Sequence, residues 1–292
     1  MGTDYVQYVA ADVLSHVLPR RLSYWIGERV ADGCFRRDEK GRRAVTSNLR
    51  KIREYQGEMC TEKAIEGGAR QLFRNFGKYL VDFFRFTHVS RREITRMIRI
   101  VNPEYIGRAV ARGKGVLVVT AHLGSWEIGG AMLSSFGYPV SAVVLPMKDR
   151  RTNALFQSRR EQRGVKVIPI EHAAHGIYRA LERKEFVALL GDRDYGPHHH
   201  EVTFFGAPAC LPIGPAKLSV RTGAPILPGF MIRQPDDTFL LRLHPPLEAS
   251  GLDAETMQDR VVRVLESEIS QNPSQWFIFN EFWKHSEELS RG

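Results

Sequence analysis

Val116-Leu-Val-Val-Thr-Ala-His122-Leu-Gly-Ser-Trp-Glu127 decides how this chain is read. Its first six residues are uncharged and rich in valine, the make-up of a short strand buried on both faces of a sheet. Ser125 is placed to cap a helix running to Leu133. His122 therefore falls at the carboxyl end of a strand and Glu127 in the first turn of the next helix. Ligands of open α/β sheets bind along that edge.

The two side chains suit a base and its orienter. A neutral imidazole removes a proton near neutral pH, and a carboxylate on its other nitrogen fixes the tautomer. Spacing alone carries little, because His88-Val-Ser-Arg-Arg-Glu93 repeats it in what reads as a solvated connection. Context separates the two. His122 follows an apolar strand and precedes Gly124, which permits close backbone approach. The competing reading of His122 is a structural histidine that ties a loop to the sheet.

Working outward, strands are expected at Ile94 to Val101, Val140 to Leu145, Val165 to Ile170, Phe186 to Leu190, Ala224 to Phe230 and Phe239 to Leu243. Helices fall between most of them: Pro103 to Arg112, Asn153 to Arg163, Ala173 to Arg183 and Glu255 to Ser270. This alternation predicts an α/β fold with a central, mostly parallel sheet flanked by helices. A second strand ends at Gly191-Asp192-Arg193-Asp194, where the polar residues either orient a substrate or brace a loop. His198, His199 and His200 read as loop residues, because neighbouring side chains diverge and cannot all face one metal.

Before the sheet, Thr61 to Phe86 is a long amphipathic helical pattern. Tyr5 to Ile26 mixes aliphatic and aromatic residues, interrupted by Pro19-Arg20-Arg21. Such a segment either lies on a bilayer surface or packs on the core. Residues 1–90 are thus read as an N-terminal helical, membrane-associating extension, and residues 91–292 as one continuous α/β core.

The 292 residues carry a net charge of +9, which favours anionic partners. No zinc-finger spacing, phosphate loop or RNP-like motif points to nucleic acid. No run of about 18 apolar residues suggests a membrane span, and no secretory leader pattern opens the chain. Cys34, Cys60 and Cys210 form neither a metal spacing nor a disulfide framework, as expected in a reducing compartment.

The chain resembles the lipid A biosynthesis (lauroyl/myristoyl-type) acyltransferase family, with a related likeness to phosphatidylinositol mannoside acyltransferases. The resemblance rests on the ordered set Ala121-His-Leu-Gly-Ser-Trp-Glu127, Gly191-Asp-Arg-Asp194, Phe204-Phe-Gly206, Ile213-Gly-Pro-Ala216, Thr222-Gly-Ala-Pro225 and Asn272-Pro-Ser-Gln-Trp276. It implies a glycerolipid-acyltransferase-like fold, peripheral or monotopic at the cytoplasmic face of the inner membrane. The implied reaction moves an acyl chain from acyl carrier protein or acyl-CoA to a glycolipid hydroxyl. His122 would be the base and Glu127 its orienter. Arg159 or Arg160 would contact a phosphate, and Asp192, Arg193 and Asp194 would line the same cleft. The apolar N-terminal stretch is shorter than in many members and contains Asp12 and His16, which favours peripheral attachment.

A thioester is already activated, so this reaction signals no metal or cofactor. Backbone amides near Gly124 are the expected oxyanion donors, and the depth of an apolar pocket would set acyl length. Two rivals stand beside this reading: a non-catalytic membrane-associated lipid-binding protein of the same fold, and a serine hydrolase using Ser125. The second lacks the G-x-S-x-G elbow.

Overall fold

The computed structural model describes residues 3–59, 61–194, 200–284 and 286. Four helices come first: α1 (Thr3–Val17), α2 (Arg20–Arg37), α3 (Glu39–Tyr55) and α4 (Glu62–Arg85). Then follow α5 (Arg91–Met97), β1 (Ile98–Val101), α6 (Glu104–Val110), β2 (Val116–Thr120), α7 (Trp126–Ser135) and β3 (Val140–Val144). Next are α8 (Arg150–Glu161), β4 (Val165–Pro169), α9 (Ala173–Glu182), β5 (Phe186–Leu190), and the hairpin of β6 (Glu201–Phe204) and β7 (Ala207–Cys210). The chain continues with α10 (Gly214–Thr222), β8 (Ile226–Arg233), β9 (Phe239–Leu243) and α11 (Ala254–Gln271). His198 and His199 lie outside the described residues.

Seven strands form one sheet in the order β1-β9-β8-β2-β5-β3-β4. Every pairing is parallel except β8 with β9. Strand β2 lies in the middle, where alternate side chains enter different cores. Leu117 and Val119 join the cluster that holds Val261 and Leu265 of α11. Val116 joins the cluster that holds Ile106 of α6 and Ala131 of α7. Burial on both faces accounts for the unbroken apolar run in the sequence.

One local feature departs from expectation, and a second concerns a segment whose conformation was not read from the sequence. The strand expected at Ile94 to Val101 begins only at Ile98, because Ser90 and Glu93 form a capping box that starts α5. That cap is also what Glu93 of the second His-x4-Glu spacing does. The Phe204-Phe-Gly206 segment is a two-residue hairpin turn, with Phe205 at φ 50° and Gly206 at φ 68°, as a type I′ turn requires.

The N-terminal helices are tied to the sheet by a buried ion pair. Asp82 of α4 bonds Arg233 of β8, and Tyr24 of α2 donates to Asp82 at 2.5 Å. Burial, then the neighbouring Asp82 charge, pushes the Tyr24 hydroxyl above its ordinary pKa. Pro19 separates α1 from α2, and Arg85 donates to the Ser15 and Leu18 carbonyls at 2.7 and 2.8 Å, closing the end of α1. One face of α1 packs inward, with Tyr8 edge-on to Phe156 at 5.2 Å. Its other face is apolar and exposed: Val6 is 63% and Val17 74% accessible, as is Trp25 of α2 at 57%. The inward face fits the reading of a helix packed on the core, while the outer face is apolar and exposed.

Candidate active site

Strands β2 and β5 are parallel neighbours with Thr120 opposite Leu190. Two residues further along each strand come His122 and Asp192. The ladder continues past the strand ends through Gly191 N–H donating to Thr120 O at 2.8 Å. Register alone thus sets the two side chains beside each other. Asp192 Oδ1 lies 2.9 Å from His122 Nδ1, and Asp192 Oδ2 accepts the His122 main-chain N–H at 2.8 Å. Trp276 Nε1–H donates to the same Oδ2 at 2.9 Å.

Asp192 is fully buried, whereas the His122 side chain is 16% accessible. Burial alone would raise the Asp192 pKa. The His122 charge and the hydrogen bonds from its ring, the Trp276 indole and the His122 amide outweigh that and hold it below the usual carboxylate range. An ionised carboxylate only accepts, so Nδ1 carries a hydrogen, and in the neutral form of the ring the lone pair is then on Nε2. The Trp126 ring lies edge-on to the imidazole, 5.3 Å between centroids.

The loop after His122 is held on two sides. Phe277 N–H donates to His122 O at 2.7 Å, and Gly124 N–H donates to Gln275 O at 2.9 Å. Ser125 N–H donates to Met231 O at 2.7 Å. Gly124 has φ 64°, and a Cβ there would lie 2.1 Å from Met231 O, so close approach does require glycine. Gly124 and Ser125 already donate their own N–H groups to carbonyls, so neither of these two amides is free for the expected oxyanion role. Ser125 occupies the N-cap position of α7 without a side-chain capping bond and is 1% accessible.

Glu127 lies in the first turn of α7, as expected, but its side chain has a different partner. Its carboxylate is gripped side-on by Arg160, with Nε 3.0 Å from Oε1 and Nη2 2.6 Å from Oε1. The partner of His122 is instead Asp192, because the neighbouring strand end lies nearer than the next helical turn. Arg159 bonds Asp12 of α1 through Nε at 2.8 Å and also through Nη2. Of the two arginines offered for a phosphate, one fastens α1 to α8 and the other fixes Glu127. Arg193 and Asp194 continue from Asp192 and are half-buried.

A cavity of about 20 Å³ lies beside Glu127, walled by Phe83, Phe86, Ile128, Arg160 and Arg163 among others. It has room for one water-sized atom and is no pocket for an acyl chain. A second cavity of about 270 Å³ lies under the α1–α2 joint, lined by Arg20, Arg85, Phe86 and Met97 among others. Among the described residues, no group of three or more His, Cys, Asp or Glu side chains is placed to hold a metal ion.

The sequence pointed to both strand ends but not to Trp276 as a partner of Asp192, nor to Arg163. Trp276 did stand in the Asn272-Pro-Ser-Gln-Trp motif, which was its only signal.

The family profile described as bacterial lipid A biosynthesis acyltransferase matches residues 3–285. The phosphatidylinositol mannoside acyltransferase of Mycobacterium tuberculosis (strain ATCC 25618 / H37Rv) is 25% identical over 215 residues, covering 72% of this chain and 68% of that protein. The lipid A biosynthesis palmitoleoyltransferase of Escherichia coli (strain K12) is 25% identical over 215 residues, covering 73% and 70%. The lipid A biosynthesis lauroyltransferase of the same strain is 25% identical over 236 residues, covering 78% and 76%. Matched along nearly all of its length, the chain belongs to the bacterial lipid A biosynthesis acyltransferase family.

Proposed function

We propose that this protein transfers a fatty acyl group from an acyl thioester, borne by acyl carrier protein or coenzyme A, to a hydroxyl of a lipid A precursor or related glycolipid. His122 Nε2 takes the hydroxyl proton as the oxygen attacks the thioester carbonyl. The C–S bond then breaks, and the imidazolium returns the proton to the departing thiolate, giving an ester and a free thiol. Asp192 holds the imidazole in the Nδ1–H tautomer and stabilises the imidazolium while it exists. Glu127 acts with Arg160 to fix the first turn of α7, where Trp126 flanks the His122 ring.

The observation that carries this reading is the asymmetry of the pair: a fully buried carboxylate behind an imidazole whose side chain reaches solvent. Attachment to a membrane surface has separate support. No helix among the described residues is long and apolar enough to cross a membrane. The exposed Val6, Val17 and Trp25 instead lie on helices next to Arg20, Arg21 and Arg29, a composition suited to an anionic interface.

The test is transfer of labelled acyl groups from acyl carrier protein to a lipid A precursor by the purified protein. His122→Ala should lower kcat by about 10²–10⁴-fold, the typical worth of a positioned base. Transfer at the parental rate would remove His122 from the chemistry.

A further inference from the structure

Arg159 and Arg160 stand in the last turn of α8 and Arg163 lies just past its end, and all three wall the same small cavity beside Glu127. In two of them the side edge of the guanidinium, Nε with Nη2, grips a carboxylate: Asp12 for Arg159 and Glu127 for Arg160. In Arg163 that same edge is buried and has no partner among the described residues. Its remaining nitrogen, Nη1, donates to Val89 O at 3.0 Å, and its guanidinium carbon lies 5.6 Å from the centre of the Phe86 ring. The planar group is thus held in place by two contacts that leave its most useful edge unused. Buried donors are rarely left unpaired, and each exception calls for a water, an ion or a ligand. The local charge agrees: three guanidiniums face two carboxylates in these pairings, leaving one positive charge over. Burial also depresses the Arg163 pKa, as it does for a cation without a counter-charge.

We propose that the Nε–Nη2 edge of Arg163 receives a phosphate oxygen of a substrate, making this cavity an anion subsite next to the acyl-transfer centre. This rests on the proposed reaction, in which both reactants carry phosphate: the phosphopantetheine arm of the thioester donor, and the phosphorylated glycolipid acceptor. The Nε–Nη2 edge can give both its hydrogens to a single oxygen, as Arg160 does to Glu127 Oε1. A cavity of about 20 Å³ suits one oxygen of such a group, the remainder lying outside. The role expected of Arg159 or Arg160 thus passes to the neighbour whose fork is not already filled.

The first measurement needs no turnover. Melting temperature is followed on the full chain as sodium phosphate replaces sodium chloride at constant ionic strength, for the parent, Arg163→Met and Arg163→Lys. Phosphate should raise Tm in the parent, have little effect in Arg163→Met, and act weakly in Arg163→Lys, which keeps the charge but loses the fork. Without ligand, Arg163→Met should melt no lower than the parent, since it removes an unpaired buried cation. An equal phosphate response in the parent and Arg163→Met, or none in the parent, would leave only water at this edge and overturn the subsite.

The second measurement identifies the source of the phosphate. Arg163→Met should raise KM by about tenfold or more for one reactant: for acyl carrier protein if the donor phosphate binds here, for the glycolipid if the acceptor phosphate does. Unchanged KM values for both would overturn the proposal. If no thioester supports transfer yet phosphate stabilises the parent through Arg163, the acyltransferase reading fails and the anion site stands.

Discussion

Asp192 holds His122 at two points at once: one carboxylate oxygen takes the ring Nδ1–H, and the other takes the main-chain N–H of the same residue. Ring orientation and loop position are therefore set by a single buried group. Any change that leaves Asp192 in place but alters its hydrogen bonds should act on rate before it acts on binding.

Trp276→Phe is one such change. It keeps an aromatic ring, though a smaller one, against Phe204 and Phe282 but removes the indole N–H from Asp192. The expected result is a fall in kcat of about tenfold with KM for both substrates nearly unchanged, from the loss of one hydrogen bond to a buried charge. Steady-state kinetics with each substrate varied in turn provides the check. A rise in KM with kcat intact would place Trp276 in binding instead.

Gly124→Ala should damage the fold and the site together. The new methyl group would meet Met231 O, and φ 64° is itself unfavourable for alanine. A loss of roughly 2–3 kcal/mol or more is expected, measured by denaturant unfolding. Gly57, with no neighbour near its missing Cβ, is a control for φ alone and should lose only about 1 kcal/mol.

Glu127 and Arg160 should behave as a unit. Removing either leaves the other partly buried and unpaired, which costs more than removing both. A double-mutant cycle with Glu127→Gln and Arg160→Met should show a coupling of about 1–3 kcal/mol in stability. Additive effects would mean that the pair does not hold the first turn of α7.

Acid stability has a source far from His122. Glu185, at the opposite edge of the sheet, accepts from Ser141, Lys166 and Arg183. Burial alone would raise its pKa, but these hydrogen bonds and charges bring it down to about 2 from an ordinary 4.5. A carboxylate with a depressed folded-state pKa adds stability that is fully present above pH 4.5 and drains away as pH falls towards 2. Lys166 and Arg183 are more than half exposed, so solvent screening reduces the gain to roughly 1–2 kcal/mol. Glu185→Gln should flatten the stability curve between pH 5 and 2 (about that window) and leave kcat at pH 7 (near neutrality) unchanged.

The sequence carried much of this fold and part of the site, for reasons visible residue by residue. Phe186–Leu190 and Phe239–Leu243 are strands with the bounds that their apolar runs suggest, and Glu62–Arg85 is the long helix. Val116 to Ala121 and Val187 to Leu190 both announce strand ends carrying His122 and Asp192. What the sequence could not show is that these two strands are neighbours, because strand order is a tertiary property. Without it, the nearest carboxylate along the chain, Glu127, took the place of the nearest one in space, which lies 70 residues away. The empty edge of Arg163 was hidden for a similar reason: only the pairing of Arg159 and Arg160 with distant or buried acids sets it apart.

Asp192, and not Glu127, is the proposed orienter of the His122 base. This assignment is tested most directly by kcat for acyl transfer in Asp192→Asn, with KM followed alongside. A loss of about 10³–10⁴-fold in kcat is expected, the scale seen when an amide replaces the orienting carboxylate of a histidine base, with KM little changed. Asp192→Asn turning over at the parental rate, while Glu127→Gln alone abolishes transfer, would contradict it.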